Sequence, residues 1–120
     1  MKDAPYDVAE RSSRFAVRVV KLSNALPRSV VGASVARQVL RSGTGVGANI
    51  EGAQGSHSRE DFTRRMNIAR SEASEALYRL RLIKETELVS AERIEPLIAE
   101  ADELVPILIT IVKRSQAKSE

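Results

Sequence analysis

The chain has 120 residues, with nineteen Lys and Arg against sixteen Asp and Glu, and no cysteine. This is the length of one domain spanning residues 1–120 with a modest core of its own. The missing cysteines exclude disulfides and thiolate metal sites. No apolar run approaches the roughly 20 residues needed to cross a bilayer, and the opening stretch is too charged for a signal peptide, so a soluble, cytoplasmic chain with no membrane partner is expected.

The four aromatics, Tyr6, Phe15, Phe62 and Tyr78, stand among a large set of Ala, Val, Leu and Ile. That balance favours helices over a sheet sandwich. The net charge of +3 is unevenly spread: residues 1–42 carry +5, residues 43–86 carry +1 and residues 87–120 carry −3. Positive surface is therefore expected in the first third.

Val8, Ser12, Phe15, Val19, Leu22 and Leu26 step by four and three and predict a first helix over residues 7–26, closed by Pro27. A second apolar face, Val31, Val35, Val39, Gly43, Val46, Ile50 and Ala53, predicts a helix over 31–54. Gly55 to His57 reads as a turn, and Ser58 followed by Asp61 as the start of a third helix over 58–87. Its seam is Phe62, Met66, Ala69, Ala73, Ala76, Leu80 and Ile83, a heptad pattern. Ser90 opens a fourth helix over 90–114, with acids early and bases late as the helix dipole prefers. Its face is Ile94, Leu97, Ala101, Leu104 or Val105, Leu108, and Ile111 or Val112, and Pro106 in its interior predicts a kink or loosening. Four such helices joined by short connections make an all-α, antiparallel up-down-up-down four-helix bundle.

The stretch from Arg41 to Gly55 holds five glycines, Gly43, Gly45, Gly47, Gly52 and Gly55. A phosphate loop would need a Lys-Ser/Thr pair after the last glycine or a preceding strand, and neither is present. Glycine inside a helix costs about 1 kcal/mol relative to alanine, so a row of them implies close packing. From Gly43 to Gly55 the only charged residue is Glu51. A solvent-facing helix would carry more charge. A subunit interface is therefore expected at Gly43, Gly47, Ala48, Asn49 and Glu51, with Asn49 as a polar contact that fixes register. A merely crowded internal helix is the plainer alternative.

Enzyme chemistry finds little support. The one histidine, His57, falls in a turn, and Glu72 and Glu75 lie three apart on an arginine-rich helix, a pattern of ion pairing and not of metal binding. No metal, cofactor or catalytic residue is expected. Arg11, Arg14, Arg18 and Lys21, spaced 3, 4 and 3, form a basic stripe that Arg28, Arg37 and Arg41 extend. Such a stripe neutralises phosphates without reading sequence, and the absence of interleaved aromatics argues against a base-stacking platform. An ordinary solvated face would show the same spacing.

The run Gln38 to Gln54, QVLRSGTGVGANIEGAQ, resembles the signature of the four helix bundle protein family, also called the 23S rRNA intervening-sequence proteins. Asp61-Phe62, Ile68-Ala69, Glu72, Glu75, Leu80-Arg81-Leu82 and Leu108-Ile109-Thr110-Ile111-Val112-Lys113 support the resemblance. It implies a left-handed antiparallel bundle assembling into a ring, commonly a homopentamer. The accessory variability protein of diversity-generating retroelements is similar, and implies a basic barrel that binds a reverse transcriptase and nucleic acid. This chain differs from the usual pattern at Gly45, where serine is common, and at Gly52, where a second glutamate often follows Glu51. The expectation is a non-enzymatic, ring-forming helical scaffold, a homo-oligomer that binds RNA, DNA or a reverse-transcriptase or other protein partner. The alternative is an oligomeric protein-interaction module without a nucleic-acid role.

Overall fold

A computed structural model describes the backbone over residues 4–119 and side chains over residues 8–118. It contains α1 (Ala4–Ala25), α2 (Val30–Gln54), α3 (Arg59–Glu85) and α4 (Ala91–Ser119). Each helix packs on its neighbours in chain order and α4 returns to α1, with no contact across either diagonal among the described residues. This is the up-down-up-down bundle, 48 Å long and about 20 Å across. The α2–α3 seam is the most extensive and the α1–α4 seam the sparsest.

The predicted α1 seam is buried throughout, from Val8 to Leu26, and so is the α3 seam from Met66 to Ile83, with Phe62 packed at its margin. Alanines at 69, 73 and 76 keep the α3 seam thin, and large side chains such as Phe15, Ile50, Leu104 and Leu108 fill the middle of the bundle. Truncating one of these to alanine removes about 2–5 kcal/mol. Three serines are buried with them: Ser115 on α4 shares a hydrogen bond with Thr63 Oγ1 on α3, and Ser12 and Ser42 bond locally. Ser12 Oγ donates to Ala9 O at 3.0 Å and Ser42 Oγ to Gln38 O at 3.1 Å, so each hydroxyl is satisfied within its own helix.

The ends of the helices differ in detail from the sequence expectation. Ser58 caps α3 as predicted, accepting from Asp61 N at 3.0 Å. Ser29 caps α2 in the same way, accepting from Gly32 N at 3.0 Å. The α2 face opens at buried Gly32 and not at Val31, which is 59 % exposed. A methyl group at Gly32 would collide with the carbonyl oxygen of Pro27, so this turn of α2 lies directly on the preceding loop. In α4 both Leu104 and, one turn pair later, Ile111 and Val112 are buried. The helix runs unbroken through Pro96 and Pro106 to Ser119. Both prolines are exposed, so the carbonyl groups they leave unbonded, at Glu92 and Asp102, lie on the solvent side.

After α3 the chain makes a Schellman turn. Glu87 N donates to Lys84 O at 3.1 Å and Leu88 N to Ile83 O at 3.2 Å, with Glu87 in the left-handed region at φ 56°. Leu88 then packs against the core.

Candidate nucleic-acid interface

The glycine block forms the C-terminal half of α2, helical from Gly43 through Gly52 with Gly55 as the C-cap, and its members do different work. Gly43 is buried, and a Cβ there would come within 2.7 Å of Val19 Cγ1, so α1 and α2 touch most closely at this level. Gly47 lies beside Ser12 with room for a methyl group, at 3.5 Å from its carbonyl oxygen. Gly45 and Gly52 turn toward α3. The space beside Gly45 is taken by the Glu72 carboxylate, and that beside Gly52 by the Arg65 guanidinium, 2.5 Å from a Cβ position. Asn49, half-buried, donates from Nδ2 to Gly45 O at 2.8 Å. Ala48 and Glu51 are exposed. Of the five expected interface residues, then, Gly43 is enclosed within the protomer, Gly47 and Asn49 are half-buried, and Ala48 and Glu51 reach solvent.

The outward face of α2 carries Val30, Ala33, Arg37, Leu40, Thr44, Ala48 and Glu51, with Arg37 and Glu51 its only charges. Beside it on α1, Val17 and Val20 are 52 % and 42 % exposed, and Leu40 is 37 % exposed. This side of the bundle is weakly charged and partly apolar.

The basic residues divide between opposite sides. Arg11 makes a bidentate pair with Glu100, at 3.0 Å from Nε and 2.9 Å from Nη2, and reaches Glu103 at 2.8 Å. These hydrogen bonds, first from Glu100 and then from Glu103, push the guanidinium still further above its ordinary range. Arg14 pairs with Glu10 one turn earlier at 2.7 Å. Arg41 lies on the α2–α3 side, 3.1 Å from Glu75 and 3.5 Å from Glu72, whose side chain is only 14 % exposed. On the same side Arg79 donates to Gln38 Oε1 at 2.6 Å. Arg11, Arg14 and Arg41 are thus neutralised locally. Arg18, Lys21 and Arg37 are exposed and take part in no ion pair among the described residues.

Arg18 and Lys21 share a cleft of about 170 Å³ with Leu22, Arg93 and Leu97. Arg93, on α4, has no ion-pair partner among the described residues either, and its place in the acidic third of the chain hid it in the sequence. Two further clefts open widely to solvent. One of about 960 Å³ lies between Ser58, Glu60, Asp61, Thr63, Arg64, Asn67 and Gln116, and His57 borders a smaller one with Ser56, Ser58, Arg59 and Phe62. Among the described residues no group of three or more His, Cys, Asp or Glu could hold a metal ion, and no helix is long and apolar enough to cross a membrane.

Comparison with known proteins gives matches that cover most of the chain. The family model for 23S rRNA-intervening sequence proteins matches residues 5–110. A crystal structure of a protein of unknown function from the S23 ribosomal protein family of Bacteroides thetaiotaomicron is 38 % identical, with a TM-score of 0.85 over 92 % of this chain and 99 % of that one. No curated protein matches.

Proposed function

The chain belongs to the 23S rRNA-intervening sequence protein family, and from that premise we propose that it is a non-enzymatic, ring-forming helical scaffold that binds nucleic acid, or a ribonucleoprotein or reverse-transcriptase complex, through its basic surface. The observation that carries this reading is a cluster among the exposed cations that have no acidic partner among the described residues: Arg18, Lys21 and Arg93 share one cleft, with Arg37 on α2. Arg11, Arg41 and Arg81 are paired with acids, whereas these four, like Arg28, Arg59, Lys113, Arg114 and Lys118, have no ion-pair partner among the described residues and are free to meet phosphates. Repetition of the chain around a ring would multiply that field. The weakly charged face of α2 supports assembly, and the lone exposed His57 supports a binding role over a catalytic one.

The test is a titration of mixed-sequence RNA and DNA with the full chain across a range of salt. Binding that weakens steeply as salt rises is expected, since each neutralised phosphate releases condensed counterions. Unchanged mobility at low salt with micromolar protein overturns the reading. The second reading, a protein-interaction module, is favoured by the exposed Val17, Val20 and Leu40, and predicts partner capture from nuclease-treated lysate.

A further inference from the structure

The α1–α4 seam pairs base with acid at one level and base with base at the next. Arg11 facing Glu100 fixes the antiparallel register of the two helices. Seven residues onward along α1 and seven back along α4, the same register sets Arg18 opposite Arg93. Lys21 lies one turn beyond Arg18 on α1, and all three side chains line one cleft whose floor is Leu22 and Leu97, both buried. No carboxylate lines it. Glu100 and Glu103 further along the seam are already engaged by Arg11, and Glu92, next to Arg93 in sequence, is exposed and does not line the cleft.

Three like charges meeting over an apolar floor repel one another, and the poorly polarisable floor screens them less than open water would. An anion placed among them removes that repulsion and gains hydrogen bonds from two guanidinium groups and an ammonium. Guanidinium pairs hold phosphate through two parallel donors, and lysine adds a mobile point charge. The cleft has room for one such group with its substituent directed to solvent.

We propose that the Arg18–Lys21–Arg93 cleft is a phosphate-binding site. It rests on the nucleic-acid reading above only for the source of the phosphate: a backbone phosphate of RNA or DNA, or a free phosphate compound, presents the same chemistry. The cleft seats the phosphate, and Arg37 on α2 serves as a separate contact outside it.

The experiment uses the full chain as wild type, as Arg93→Ala and as Arg59→Ala, the last an exposed cation at the far end of the bundle. Tm is measured in pyrophosphate against chloride at matched ionic strength, and binding of a mixed-sequence RNA is measured across salt. Pyrophosphate is expected to raise Tm in wild type and Arg59→Ala, with the rise lost in Arg93→Ala. RNA affinity is expected to fall about tenfold in Arg93→Ala, with the salt slope smaller by about one. A Tm rise that depends on Arg93 without any RNA binding assigns the site to free phosphate compounds and overturns the nucleic-acid reading alone. RNA binding that depends on Arg93 without a pyrophosphate effect assigns it to nucleic-acid backbone. RNA binding and pyrophosphate stabilisation unchanged in Arg93→Ala overturn the cleft and leave the nucleic-acid reading standing, and no binding of either probe by wild type overturns both.

Discussion

The carboxylate of Glu72 occupies the place where a side chain at Gly45 would begin. Glu72 belongs to α3 and Gly45 to α2, so the glycine is a socket for a residue from another helix, and Arg41 closes over the same carboxylate at 3.5 Å. Gly43, two residues earlier, meets the buried branched side chain of Val19 on the opposite flank of α2.

The two glycines therefore respond differently to alanine. At Gly45 the neighbour is the far end of a flexible side chain that swings aside, and the helix gains about 1 kcal/mol of propensity, so Gly45→Ala is expected to be neutral or stabilising. At Gly43 the neighbour is core, and overpacking of about 1–3 kcal/mol outweighs that gain. Urea midpoints of the two variants check the contrast: equal midpoints contradict it.

How much of this was legible follows from where each partner lies. The heptad seam of α3 could be read directly, because all its information is within one helix. The glycines announced close packing, yet Glu72 and Arg65 as their occupants could not be named from the chain, since they arrive from a different helix at a register the sequence does not state. Arg93 was hidden for the same reason: its neighbourhood in sequence is acidic, while its neighbourhood in space is Arg18 and Lys21. The outward turn of Val31 was missed because apolar spacing alone does not distinguish it from Gly32, whose burial is set by contact with the Pro27 carbonyl.

Asp61 gives α3 a pH dependence. Arg64 bonds its Oδ1 at 2.7 Å and Arg65 its Oδ2 at 3.2 Å, and these donors, Arg64 foremost, hold the carboxyl down to about 2 from its ordinary 3.8. A depressed folded value means that the contribution is fully present above the unfolded value and is lost as pH falls through the folded one. Stability is therefore expected to decline between about pH 4 and pH 2, and Asp61→Asn to flatten that part of the curve. Urea midpoints measured through this window provide the check, and parallel curves for the two proteins count against the assignment.

Glu87 sits at φ 56° in the turn between α3 and α4, a position that glycine normally fills. The left-handed conformation costs an L-residue roughly 1–2 kcal/mol, and glycine's greater freedom when unfolded returns part of that. Glu87→Gly is expected to stabilise the chain by about 0.5–1 kcal/mol. Thermal unfolding gives the answer, and a lowered Tm would show that the Glu87 side chain contributes more than its backbone costs.

Ala48 tests assembly with the least disturbance, because it is exposed at the centre of the weakly charged α2 face. Ala48→Arg is expected to lower the assembled mass in light scattering while helicity by circular dichroism stays unchanged. An unaltered mass places the interface elsewhere.

The sparse α1–α4 seam bears on how the chain folds. The other three seams join helices adjacent in sequence, so each forms by closing a short loop, whereas the Arg11–Glu100 bond joins residues 89 apart. Loop-closure entropy delays such distant contacts, and the three hairpins α1–α2, α2–α3 and α3–α4 can condense before α1 meets α4. The α1–α4 seam is then the latch of the bundle, the last to close and the first to part in native-state hydrogen exchange, and its opening would expose the facing sides of α1 and α4 together.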